Sequence, residues 1–300
     1  MSYARTITLT ALAMIAFASN SLLCRVALSH TAIDPASFTT IRLISGAVML
    51  WIIVQMRRST DSGSGNWPSA LALFLYAAGF SFAYTRLPAA TGALLLFGAV
   101  QATMIAHGIW AGERLLWVQR LGLAIALGGL VSLLLPGLSA PPLLGSLLML
   151  CAGVAWGVYS LRGKNAGDPT RVTAGNFLRA VPMAAALSLL AMGDVSLDQA
   201  GLFYAVSSGA LASALGYVIW YTALPALKAT QAATVQLSVP VLAASGGVAF
   251  LGESVTLRLV LASMAILGGI ALVIVEKRKA GAAHPIDAAD SACGAAGYPC

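Results

Sequence analysis

G-Y-V-I-W-Y-T-A-L-P-A, residues 216–226, decides how this chain is to be read, because the chain contains it twice. Its counterpart is G-F-S-F-A-Y-T-R-L-P-A, residues 79–89; Gly, Tyr, Thr, Leu, Pro and Ala coincide at an offset of 137. The surroundings repeat as well. Gly112-Glu113 and Gly128-Gly129 return as Gly252-Glu253 and Gly268-Gly269 at an offset of 140. Arg42 and Arg179 match at 137, and Phe17 with Trp156 and Arg25 with Lys164 match at 139. Self-similarity at one long period means two fused copies of one unit.

Composition says what solvates those units. Hydrophobic residues make up 59% of the 300 and charged residues only 9%, against about 25% charged in an ordinary globular domain. A chain so poor in charge could not keep its surface in water, so lipid must be its main solvent. The formal net charge of +7 lies in short clusters such as Arg57-Arg58 and Lys277-Arg278-Lys279. A nucleic-acid binder needs a continuous basic face, so no nucleic-acid partner is expected. The four cysteines, Cys24, Cys151, Cys293 and Cys300, show no metal-ligand spacing. No metal, cofactor or covalent catalytic set is expected, and the chain does not read as an enzyme.

A membrane-spanning helix needs roughly 20 apolar residues. On that ruler ten runs stand out, at about 6–28, 36–56, 67–84, 91–111, 117–135, 143–161, 172–192, 199–222, 229–250 and 256–275. The fold expected is all-α and polytopic. Residues 1–138 form a first five-helix repeat, 139–279 a second, and 280–300 a disordered tail of small and polar residues. With the N-terminus in the cytoplasm, the inner side collects Arg5, Arg57, Arg58, Arg114, Arg120, Arg162, Lys164, Arg171, Lys228, Lys277, Arg278 and Lys279. The outer side keeps Arg25, Arg86 and Arg258. This bias predicts a multi-pass protein of the cell inner membrane with both termini cytoplasmic. Five spans per repeat is an odd number, so the second copy enters from the opposite side. An inverted repeat of that kind supports alternating access in secondary transporters.

Ten spans in two halves, an F/W-A/G pair in the first helix of each half, Arg early in the second, and recurring L-P and G-E resemble the drug/metabolite transporter superfamily. Within it, residues 6–276 are similar to the EamA-type exporters, which include bacterial amino-acid exporters. The family usually has Pro midway along its fourth and ninth helices. Here Pro240 supplies it in the ninth, while Val100 stands in the fourth. The resemblance implies a small-molecule substrate and specifies fold better than substrate.

The residues themselves point to an uncharged cavity. No Asp or Glu lies midway along any span, and Asn20 stands where the superfamily's small multidrug members have Glu. A coupled proton antiporter needs a buried titratable group, and only His107, near the end of the fourth span, could serve. Facilitated export is therefore expected, with proton antiport as the alternative. Ser213, Tyr217 and Tyr221 share a helix face at i, i+4, i+8, matched by Tyr76, Phe80 and Tyr84. The expected lining is Asn20, Tyr84, Gln101, Trp156, Tyr159, Tyr217, Tyr221 and Gln236. Two readings stand for these residues: hydrogen-bonded glue between helices, or the wall of a cavity for neutral and aromatic amino acids. A drug, a purine or a nucleotide sugar is the alternative substrate. Arg42 and Arg179 either satisfy nearby carbonyls or attract a carboxylate, and Glu113 and Glu253 cap helices or pair with arginine. Gly153, Gly157 and Gly268-Gly269 let helices approach closely. Pro88 and Pro225 end their helices and would be twin hinges, at the outer and cytoplasmic surfaces respectively. The sequence does not fix the oligomeric state, and a monomer is compatible with it.

Overall fold

The computed structural model describes residues 3–57, 63–112, 115–135, 140–163, 167–227 and 235–282, with side chains through Val273. Glu113, Lys164, Lys228 and the tail from 283 lie outside the described residues. The elements are α1 Tyr3–His30, α2 Pro35–Arg57, α3 Trp67–Tyr84, α4 Ala89–Trp110, α5 Trp117–Leu134, α6 Leu143–Gly163, α7 Pro169–Leu190, α8 Gln199–Ala226, α9 Ser238–Leu251 and α10 Leu257–Ala282. The first eight are each long and apolar enough to cross a membrane; α9 and the apolar part of α10, Leu257–Val273, are shorter. The chain is a ten-helix polytopic membrane protein.

Three of the described acids cap helix N-termini. Asp34 accepts from the amides of Ala36 and Ser37, Asp168 from Thr170 and Arg171, and Asp198 from Gly201. Asn66 does the same for Ser69. Each cap satisfies first-turn donors that lipid could not. The helix flanks carry exposed Ile15, Val48, Leu75, Leu127, Val131 and Val248, the expected contact with acyl chains. Exposed Trp67, Trp110 and Trp117, at the ends of α3, α4 and α5, suit the headgroup level of one interface.

The helices follow the ten apolar runs to within a few residues, with one correction. The ninth run, read as 229–250, is not one continuous helix. A turn at Leu237 precedes α9, whose third residue is Pro240. Proline has no N–H to donate to the preceding turn, and its ring crowds that turn's carbonyl. The fourth helix, with Val100 in place of proline, runs unbroken for 22 residues.

The two halves interlock. α3 packs on α6, and their counterparts five helices on, α8 and α1, pack likewise. The first glycine of each repeated stretch makes this contact. A Cβ on Gly79 would stand 3.1 Å from the Leu148 carbonyl of α6, and one on Gly216 would stand 3.0 Å from Ala16 of α1. α2 pairs with α7, α4 with α9, and α5 most extensively with α10. At that last crossing the backbones nearly touch. A Cβ on Gly122 would lie 2.6 Å from the Gly269 carbonyl oxygen, and one on Gly129 would lie 2.7 Å from Ala265. Gly268 meets nothing within 4 Å, so only Gly269 of that pair serves close approach. Gly153 and Gly157 of α6 do serve it, against Leu96, Ala99 and Thr103 of α4.

α8 departs from an ordinary helix. From Ser208 to Leu215 its backbone makes the wider π turn before α-helical winding resumes at Gly216. A π segment bonds i to i+5, so residues five apart come round toward one face. Ser208 and Ser213 are five apart and both reach buried polar partners on α1 and α2. Ser213, at the end of this segment, and Tyr217, one turn on, share the cavity wall, while Tyr221 is outside it.

Candidate functional site

Between the halves lies a small cavity. Its walls are Phe17, Asn20 and Ser21 of α1, Tyr76 and Phe80 of α3, Leu96 and Phe97 of α4, Trp156 of α6, and Ala212, Ser213 and Tyr217 of α8. Both halves contribute, as the interlocking of α1 with α8 and of α3 with α6 requires. The space has room for little more than a water molecule, so as it stands it is too small for a metabolite.

An aromatic stack crosses the cavity from one half to the other. Tyr84 meets Phe80 edge-on at 4.7 Å between ring centroids, Phe80 meets Tyr76 at 5.4 Å, and Tyr76 meets Trp156 at 4.8 Å. Trp156 then meets Tyr217 at 5.0 Å and Tyr159 at 5.4 Å. Phe17 and Phe177 pack edge-on against Tyr217. Edge and tilted contacts of this kind are favourable ring geometries, and they link five helices by side chains alone.

A polar chain runs beside the stack. The Asn20 amide donates to the Tyr76 hydroxyl oxygen at 3.2 Å, and the Ser208 hydroxyl donates to the Asn20 carbonyl at 2.7 Å. Arg42 of α2 donates from Nη2 to the same Tyr76 oxygen at 3.0 Å and from Nε to Ser213 Oγ at 3.3 Å. Its guanidinium lies 5.0 Å from the Phe80 ring centroid and 5.2 Å from that of Tyr76. Arg42 is only 2% exposed.

Of the eight residues expected to line a cavity, Asn20, Trp156 and Tyr217 do so. Tyr84 and Tyr159 stand one ring behind the wall, at the two ends of the stack. Tyr84 donates to the Ala89 carbonyl at 3.3 Å, and Tyr159 accepts from Asn176 at 3.5 Å. Gln101 is buried on α4 with its side-chain nitrogen unpartnered; Tyr221 and Gln236 are half-buried, and none of these three is part of the wall. His107 is exposed on α4, away from the cavity. The sequence reading left Arg42 outside the expected set, as one of a matched pair with Arg179. The pair divides in the structure: Arg179 satisfies the carbonyls of Gly175 and Ser64, while Arg42 turns inward. Because α2 is apolar nearly all round, periodicity carries no signal for which way its arginine points.

One end of the cavity is clamped. Glu253, in the link between α9 and α10, accepts from Arg25 Nε at 3.1 Å and from the Ala89 amide at 2.8 Å. Arg25 also donates to the Tyr84 carbonyl at 3.0 Å. The clamp joins the end of α1, the α3–α4 corner that contains Pro88, and the second half of the chain. Pro88 itself is the residue before α4, with extended backbone. Pro225 differs, lying within a short 3-10 turn, Leu224–Ala226, that finishes α8.

Comparison with known proteins places this geometry. The sequence model of the EamA-like transporter family matches twice, over residues 4–135 and 143–275. An uncharacterized protein of Pseudomonas aeruginosa is 58% identical over 91% of this chain and 96% of its own length. The threonine/homoserine exporter RhtA of Salmonella typhimurium is 37% identical over 42% of this chain and 43% of its own. The uncharacterized transporter YoaV of Bacillus subtilis is 22% identical over 79% of this chain and 86% of its own. A solved crystal structure shares the fold with a TM-score of 0.64, at 20% identity over 91% of this chain and 98% of that one. The double match spans both halves and every helix that builds the cavity, and the chain belongs to the EamA-like transporter family.

Proposed function

We propose that this protein exports small metabolites, with neutral and aromatic amino acids as its substrates, by alternating access between two inverted five-helix halves. The observation that carries the reading is the cavity itself: aromatic walls and a few hydroxyl and amide groups, contributed by helices of both halves. Such a lining suits a small solute with one apolar and one polar end. The similarity to a threonine/homoserine exporter supports amino acids as the class. With the N-terminus cytoplasmic, the Arg25–Glu253 clamp closes the outer end of the cavity, and Pro88 and Pro225 are the hinges of opposite gates. Transport is facilitated. Of the acids whose side chains are described, Asp34, Asp168 and Asp198 are helix caps and Glu253 belongs to the clamp, while His107 is exposed and outside the cavity wall.

Proteoliposomes preloaded with unlabelled amino acids test this by counterflow. Labelled threonine or phenylalanine should accumulate faster than in empty vesicles, and no faster when a pH gradient is imposed. Equal rates with and without protein would end the amino-acid reading, and a rate that follows the pH gradient would end the facilitated one. Reporter fusions at both termini check the orientation, and an outer location of either would overturn it.

A further inference from the structure

The charge on Arg42 has no counter-ion among the described residues. It is buried two turns inside α2, at roughly a third of the bilayer depth. Every group it touches is neutral: the Ser213 hydroxyl, the Tyr76 hydroxyl and the rings of Tyr76 and Phe80. The ion pair Arg25–Glu253 is elsewhere, at the clamped end. One guanidinium nitrogen, Nη1, has no hydrogen-bond partner at all. A cation inside a membrane protein normally pairs with an acid or reaches for the interface. Arg42 does neither.

Its neighbour has a donor to spare as well. The Tyr76 oxygen accepts from both Arg42 Nη2 and Asn20 Nδ2, so its own proton is left to be donated. Tyr76 is part of the cavity wall, and Ser213, which accepts from Arg42, is another part of it. Arg42 itself stands just behind the wall, against Tyr76, Phe80 and Ser213, so its charge and the two unused donors lie beside one corner of the cavity. That is the complement of an anion.

We infer that Arg42, assisted by the Tyr76 hydroxyl, is the receptor for a carboxylate group on the transported solute. The inference rests on the reading above and sharpens it: the aromatic wall takes the apolar part of an amino acid, and Arg42 holds its carboxylate. It also supplies a reason for a closed state to form around substrate. The incoming carboxylate neutralises a charge that otherwise stays unpaired, so closure is favoured with substrate more than without it. Its repeat counterpart Arg179 is only half-buried and donates from Nη1 to two backbone carbonyls.

The test compares each amino acid with its own amide, which keeps the shape and side chain and removes the negative charge. Thermal stabilisation of the purified full-length protein in detergent and inhibition of counterflow are read for L-threonine and L-threoninamide, L-phenylalanine and L-phenylalaninamide, and propionate. In the wild type the amides should act about ten- to hundredfold more weakly than the acids, the size expected for losing a hydrogen bond to a charged group. Arg42→Gln should abolish that preference, Arg42→Lys should restore part of it, and Tyr76→Phe should shrink it about tenfold. If Arg42→Gln does not fold, Arg42→Lys and Tyr76→Phe still carry the test. Equal action of acids and amides on the wild type would refute the carboxylate receptor and leave amino-acid transport standing. Propionate active through Arg42 with amino acids inert would do the reverse. Unchanged preference in a folded Arg42→Gln variant, or no effect of any carboxylate on the wild type, would also overturn the proposal.

Discussion

The two copies of the repeated stretch have nearly the same residues and different surroundings. In the first, Tyr84 is fully buried, its ring lies against Gly92, its carbonyl accepts from Arg25, and the next helix start is held by Glu253. In the second, Tyr221 is half-buried and outside the cavity wall, and Pro225 ends α8 in a 3-10 turn instead of lying in a linker. The same divergence separates the matched arginines, Arg42 buried beside the cavity and Arg179 on backbone carbonyls. A duplicated sequence folded into two equivalent halves would be symmetric in an average sense only. An asymmetry of this kind is what the alternating access proposed above requires of any single state.

That contrast can be broken experimentally at several places. The largest effect is expected at Gly92, where a Cβ would stand 2.4 Å from the Tyr84 ring. A buried ring with no space to retreat makes Gly92→Val destabilising by about 3 kcal/mol, at the upper end for overpacking. Gly216→Ala in the second copy, with its nearest contact at 3.0 Å, should cost less than about 1 kcal/mol. Melting temperatures of the two variants in one detergent check the difference, and similar losses would mean that the Tyr84 ring can give way.

Removing the clamp should come next. Glu253→Gln loses the charge that pairs with Arg25, a partly exposed ion pair worth on the order of 1 kcal/mol. The outer end should then open more often. Cys24, fully buried one residue before Arg25, should react several-fold faster with a membrane-impermeant maleimide, as quantified by mass spectrometry of its peptide. An unchanged labelling rate would mean the clamp does not hold the cavity shut.

The prolines sharpen the comparison further. Pro88 stands outside its helix and Pro225 inside a terminal turn, so only Pro225→Ala lets a helix run on. We expect Pro225→Ala to slow counterflow several-fold without lowering the melting temperature, and Pro88→Ala to shift stability by less than about 1 kcal/mol. Transport untouched by Pro225→Ala reduces that residue to an ordinary helix stop. The smallest effect belongs to the hydroxyls. Tyr84→Phe removes one hydrogen bond to Ala89, about 1 kcal/mol, and Tyr221→Phe should leave the melting temperature unchanged.

Much of this was legible before any coordinates. The ten apolar runs, the unequal fourth and ninth helices and the family all followed from hydropathy, one proline and two matched strings. Asn20, Trp156 and Tyr217 could be chosen because polar and aromatic groups deep in an apolar run are costly against lipid. The same rule chose Gln101, Tyr221 and Gln236, which are not in the wall, because it says only that such groups avoid lipid and not which interior contact they find. The π turn in α8 could not be seen, since its residues, S-G-A-L-A-S-A-L, suit an α-helix equally. Arg42 was visible as one of two arginines that could attract a carboxylate, and nothing in the sequence said which of the pair turns inward.

The sequence by itself determined how many times the chain crosses the membrane, that it does so as two related halves, and to which family it belongs. Those are sums of transfer free energy along one dimension, and a window of roughly 20 residues suffices to read them. Only the tertiary structure decided that α1 meets α8 and α3 meets α6, that Glu253 clamps Arg25 to the start of α4, and that Arg42 lies buried without a counter-ion among the described residues. The reason is physical. Lipid tails are as apolar as a protein interior, so polarity does not mark which face of a membrane helix packs against protein. That choice is made by small residues, shape and hydrogen bonds between helices far apart in the chain, and these come together only when the chain is folded.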